Sequence, residues 1–200
     1  MKKIILTVAA VFAFGFANAQ DKTESTGEGF AKGNVFLTGA IGFGSEKTGD
    51  VKSSSFTFAP AAGFFVTSNI AIGARLGFTS MTDENPPAND VKTTTFDAEV
   101  FGRYYFTPAS KFSMFGELNV GLGTNKIDNG GPTDYDTQTV HANLGAGMSY
   151  FLSNHWAIEA GWAGLGFETD DNGGNGAEKT NSFGLNVDLR SIDFGVLYKF

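Results

Sequence analysis

Between Gly33 and Phe200 large apolar side chains return at every second position, segment after segment, with hardly any 3.6-residue pattern. That period confines the chain to β-strands. Eight segments carry it: Asn34 to Glu46, Ser54 to Val66, Ile70 to Met81, Thr93 to Phe106, Phe112 to Thr124, Thr137 to Leu152, Trp156 to Glu168 and Asn181 to Phe200. All are longer than the five or six residues usual in the sheets of globular proteins. A tilted strand crosses the hydrocarbon of a bilayer in roughly 9 to 11 residues, so segments of this length can span it and project beyond.

Tight connections at 67–69, 107–111 and 153–155 alternate with polar ones rich in Gly, Asn and Asp, around 47–54, 82–92, 125–136 and 169–180. Short turns on one rim and long loops on the other make an up-and-down meander, with both chain ends on the short-turn rim. A weak repeat agrees. Residues 64–73, 104–116 and 150–161 each run aromatic side chains into a short polar turn and apolar ones out of it.

Alternation sorts the two faces. On the third segment Ile70, Ile72, Ala74, Leu76 and Phe78 point one way, and Ala71, Gly73, Arg75, Gly77 and Thr79 the other. Eight strands enclose a lumen just wide enough for side chains to fill, so the bulky face belongs outside and the small, polar face inside. A soluble barrel with its apolar face inward is the rival arrangement. Aromatic residues weigh against it: Tyr104, Phe106, Phe112, Tyr150, Trp156, Tyr198 and Phe200 gather near the short turns, and Phe43, Phe56, Phe78, Phe96 and Phe183 near the long loops. These are two girdles at the heights of lipid headgroups; in water they would be exposed apolar rings. Breaks of phase near Arg190 and Ser191 and around Gly164 to Gly166 predict β-bulges.

Residues 1–19 have the layout of a cleavable secretory signal: Lys2 and Lys3, an apolar run from Ile4 to Ala17, and small residues Ala17 and Ala19 at the cleavage triplet. Residues 20–32 read as a polar, flexible lead-in, and 33–200 as the barrel. Cleavage leaves 12 Lys and Arg against 21 Asp and Glu, a net charge of −9. Nucleic acid is a poor partner for such a chain, because neutralising phosphates takes clustered basic residues. With no cysteine there is neither a disulfide nor a thiolate metal site.

Inward charges are the sharpest polar feature. Arg75, Asp97, Glu99, Arg103, Glu117, Glu159 and Asp193 share the inward phase, and isolated ions in so narrow a lumen are costly, so a salt-bridged plug is expected in preference to an ion path. Catalysis has little to work with. His155 lies in a short turn, and His141 could serve only with Ser182 and an acidic residue, in the manner of a lipid A-modifying enzyme. The acidic stretches 128–136 and 170–178 lack the frame of a calcium loop, although divalent cations could bridge them to lipopolysaccharide phosphates. No catalytic, cofactor-binding or metal-binding residue is assigned.

The secretory signal, the eight alternating segments, the acidic loops and the terminal stretch FGVLYKF (194–200) together resemble the small outer-membrane barrels of the OmpA/OmpX type, the outer-membrane β-barrel proteins of Gram-negative bacteria. Residues and resemblance imply the same fold, an all-β, eight-stranded antiparallel up-and-down transmembrane β-barrel. The resemblance further implies that Ile192, Phe194, Val196, Tyr198 and Phe200 act as the signal by which the barrel assembly machinery recognises the chain. The expected role is a monomeric, non-enzymatic structural element in contact with outer-membrane lipid and lipopolysaccharide, its loops presented for surface contact, adhesion or envelope integrity. A narrow porin-like channel is the alternative.

Overall fold

The computed structural model describes residues 27–84, 89–130, 135–174, 176–185 and 193–200. Seven antiparallel strands follow one another as a meander: β1 (Val35–Thr48), β2 (Val51–Phe65), β3 (Ile70–Glu84), β4 (Val91–Tyr105), β5 (Phe112–Asp128), β6 (Tyr135–Phe151) and β7 (Trp156–Asp170). Two shorter strands, β8 (Thr180–Leu185) and β9 (Asp193–Lys199), both pair along β7 and share the eighth position in the wall. β9 also pairs back onto β1, with Phe36 opposite Lys199 and Gly39 opposite Val196, so the sheet closes on itself. Closure satisfies backbone donors and acceptors where no water can reach them, which is what a strand structure needs inside hydrocarbon.

The outer surface is apolar in a band. Ile41, Ile72, Val100, Leu118 and Val196 are each about half exposed or more, and Phe43 reaches 78%. Along β4 and the residue that follows it, the outward apolar run from Phe96 to Phe106 measures roughly 33 Å, or about 25 Å once tilted, the height of a lipid-facing band. Neighbouring rings mark its edges. Phe43, Phe56, Phe78 and Phe96 follow each other at 5.1 to 6.2 Å, while Trp156, Tyr198 and Phe200 do so at 4.9 and 5.0 Å on the opposite rim.

One connection differs from the sequence expectation. The stretch 47–54, read as a long loop, is strand almost throughout: the β1–β2 ladder continues to Thr48 opposite Val51, and only Gly49 and Asp50 turn. Gly49 adopts φ +63, which suits a residue without a Cβ. Beyond the bilayer a strand needs ladder hydrogen bonds and no apolar side chains, so the fading of alternation there marks the edge of the lipid band and not the end of the strand. The bulge in the seventh segment is present: β6–β7 pairing steps from Leu144 opposite Leu165 to Gly145 opposite Ala163, leaving Gly164 unpaired in the register. Outward residues change phase across it, from Trp156 and Ile158 to Leu165 and Phe167. The break near Arg190 and Ser191 lies outside the described residues, as do Ile192, Ala17 and Ala19.

Candidate functional site: a layered lumen

Strand register decides which inward charges meet. Arg75 of β3 lies directly opposite Glu99 of β4, and Arg103 of β4 opposite Glu117 of β5. Both pairs form ion pairs, Arg103 Nε donating to Glu117 at 2.5 Å. The two are then joined, since Arg75 also reaches both Glu117 oxygens at 3.0 and 3.2 Å. Across the lumen Arg103 donates to Glu159 of β7 at 2.9 Å and to the Tyr105 hydroxyl at 3.1 Å, and Thr38 of β1 donates to the other Glu159 oxygen at 2.9 Å. The chain of contacts therefore ties β1, β3, β4, β5 and β7. At its upper end the His141 ring extends over Gly121 to Glu99, Nε2 at 3.4 Å.

From the level of the charges down to the short-turn rim, the lumen is filled with rings. Phe36, Phe65, Phe101, Tyr105, Phe115 and Phe151 are all buried, with Leu197 and three alanines between them. The sequence reading of a lumen lined by small residues is corrected here. The physical reason is a cross-strand pairing of large with small. Phe36 lies opposite Gly63, Phe101 opposite Gly73 and Phe115 opposite Gly147, and a Cβ on any of these glycines would come within 2.2 to 2.4 Å of the facing ring. With 27 Gly and 21 Phe in the chain, part of that unusual composition is explained by these pairs. The guanidinium of Arg103 stacks on the rings, 4.4 Å from Phe115 and 5.0 Å from Phe101, joining the two layers.

The described end of the expected lead-in closes the mouth. Phe30 is 2% exposed and packs against Phe65 at 4.6 Å, Phe151 at 4.9 Å and Tyr105 at 5.0 Å. Its amide donates to the Pro108 carbonyl in the β4–β5 turn at 2.7 Å, and Gly29, at φ +102, passes so close to that turn that a Cβ would meet Ala109 backbone at 2.6 Å. Lys199, on the terminal strand, donates to the carbonyls of Gly27 and Gly29 at 2.9 and 2.6 Å. Outside, Lys111 bonds Glu28 at 2.9 Å, and that carboxylate raises the lysine above its ordinary pKa. Residues 27–32 are thus a strap across the mouth, where a flexible lead-in had been expected. They were missed because a single Phe among Gly, Glu and Lys has no period to betray it.

Of the seven inward charges expected from the sequence, five come together: Arg75, Glu99, Arg103, Glu117 and Glu159. Asp97 stands apart between Gly77 and Gly123, without an ion pair among the described residues, and the Asp193 side chain lies outside them. His141 joins the network although it had been weighed for catalysis. Ser182 is not its neighbour, for Glu168 of β7 lies between them in register, opposite each. Direct proton transfer from the serine to the imidazole is excluded by that spacing. Phe194, Val196, Tyr198 and Phe200 all take the outward phase. A cavity of about 320 Å³ remains beside the network, lined by Thr38, Thr57, Arg75, Glu117, Asn143 and Glu159 among others.

Solved structures resemble the chain at low identity. The N-terminal β-barrel domain of Pseudomonas aeruginosa OprF is 16% identical with a TM-score of 0.41, over 86% of this chain and 100% of that one. The outer membrane protein OprG from the same organism is 15% identical with a TM-score of 0.48, over 86% and 98%, and Neisserial surface protein A is 16% identical with a TM-score of 0.45, over 84% and 95%. No curated protein matches the sequence. The family model described as the outer membrane protein beta-barrel domain matches residues 6–200, and with a closed antiparallel barrel and a lipid-facing band already evident, the chain belongs to that family and resides in the outer membrane.

Proposed function

We propose that this protein is a closed, non-enzymatic wall element of the outer membrane that presents its polar connections at the cell surface for contact or envelope integrity. The observation carrying this reading is the double obstruction of the lumen, a ring-filled layer stoppered by Phe30 beneath a layer of paired ions. A hydrated solute would have to break several buried ion pairs to pass, each break leaving a charge uncompensated in a low-dielectric space. Reconstitution into planar bilayers tests it. No steady current is expected from the full chain, and a stable single-channel level would overturn the proposal.

The second reading, a narrow pore, draws on the cavity of about 320 Å³ beside the network. Were the strap a gate, deletion of residues 27–32 alone would produce conductance; on the wall reading the remaining rings keep it shut. Delivery follows from the terminal strand: Phe194, Val196, Tyr198 and Phe200 present the alternating outward face that the barrel assembly machinery is proposed to read. Removing Phe200 should lower the amount reaching the outer membrane, measured by fractionation.

A further inference from the structure

Above the lipid band Glu46, Asp83, Glu168 and Asp170 take the inward phase, whereas Lys47, Lys52, Lys92 and Lys126 take the outward one together with Glu84, Asp128 and Asp136. Three of these lysines have an acid beside them: Lys52 pairs with Glu84 at 3.1 Å, Lys126 with Asp136 at 3.7 Å, and Lys92 lies opposite Asp128. Lys47 has none among the described residues, and its register partner is Lys52. Two like charges directly opposite on one face of a ladder repel, and Glu84 on the far side of Lys52 offsets only one of them. The pair sits four positions above the neighbouring Phe43 and Phe56 rings, about 10 Å higher once strand tilt is included, within reach of flexible lysine arms from the headgroup level.

We propose that Lys47 and Lys52 form a binding site for a phosphate of the glycolipid in the outer leaflet. Both side chains leave the wall on its lipid-facing phase, one lysine's length above the aromatic girdle, and an external phosphate between them turns a repulsion into two charge-assisted contacts. The lysines fit such a ligand as point donors that need no fixed geometry.

The test uses the full barrel in detergent, titrated with diphosphorylated lipid A and followed by native mass spectrometry. Lys47→Gln with Lys52→Gln should weaken retention of the lipid about tenfold or more. Glu84→Gln, which removes the competing carboxylate, should strengthen it, and the double arginine variant should retain it. Lys111→Gln, on the opposite rim, is the control for bulk charge and should bind as the parent does. Faster migration of unboiled samples verifies that every variant is folded. Parent-like binding by the double glutamine variant overturns the proposal, as does an equal loss in Lys111→Gln. Dephosphorylated lipid A binding as well as the phosphorylated form, or displacement of the lipid by millimolar inorganic phosphate, overturns it too.

Discussion

Arg103 shows how much one side chain can hold. It is 5% exposed, bonds Glu117, Glu159 and Tyr105, and lies against three rings. Arg103→Met would leave the buried Glu159 carboxylate without its cation and Glu117 with Arg75 alone, at a cost of about 3–5 kcal/mol, read as a lower midpoint of urea unfolding in detergent. Arg103→Lys keeps the charge but cannot fork between two carboxylates, so its midpoint should fall between those two proteins. An unchanged midpoint for the methionine variant would show that the network adds nothing to stability. Gly63→Ala tests the large-small pairing. Its Cβ would lie 2.2 Å from a fully buried Phe36 ring, so overpacking should cost about 1–3 kcal/mol in the same assay, whereas Gly102→Ala, with open space around it, should cost little. At this scale the inward phase of Arg75, Glu99, Arg103, Glu117 and Glu159 was legible, because phase is a property of spacing alone. Phe101, between Glu99 and Arg103 on that same phase, was equally available to the alternation. The rule that only small groups line a narrow lumen hid it, and that rule fails where a glycine faces the ring.

Among elements, the strap couples parts far apart in sequence. It runs from β1 across the mouth to the β4–β5 turn and is bonded by Lys199 of the terminal strand, so its docking surface exists only once β9 has closed on β1. Phe30→Ala should cost about 3 kcal/mol of stability, the lower end for truncating a buried Phe, read as a lower unfolding midpoint. Backbone held by hydrogen bonds resists a protease until it opens locally, so trypsin should spare Lys32 in the folded parent and cut there in the alanine variant. Equal cutting in both would mean the strap is not docked. The β1–β2 hairpin teaches the complementary lesson. Its upper half is strand without apolar alternation, because β2 registers Ser55, Ser54, Ser53 and Lys52 against Gly44 to Lys47 above the lipid band.

For the whole molecule, closure is the property that matters. Wall continuity from β1 to β9 leaves the paired strands of the lower rim no edge, and the resulting barrel should resist sodium dodecyl sulfate until boiled, migrating faster before heating than after. The apolar band dictates a matching requirement, an amphiphile to remain dispersed; a monodisperse protein in plain buffer would contradict the lipid-facing assignment.

By itself the sequence determined strand number, direction, the lipid-facing phase, the two girdles and the bulge near Gly164, since each follows from local spacing and side-chain size. Tertiary structure alone decided which Arg meets which Glu, that His141 belongs to the ion network, that rings fill the lower lumen and that Phe30 stoppers it. Those outcomes depend on register between strands and on distances across the lumen, and neither quantity is encoded in the order of neighbours along one chain.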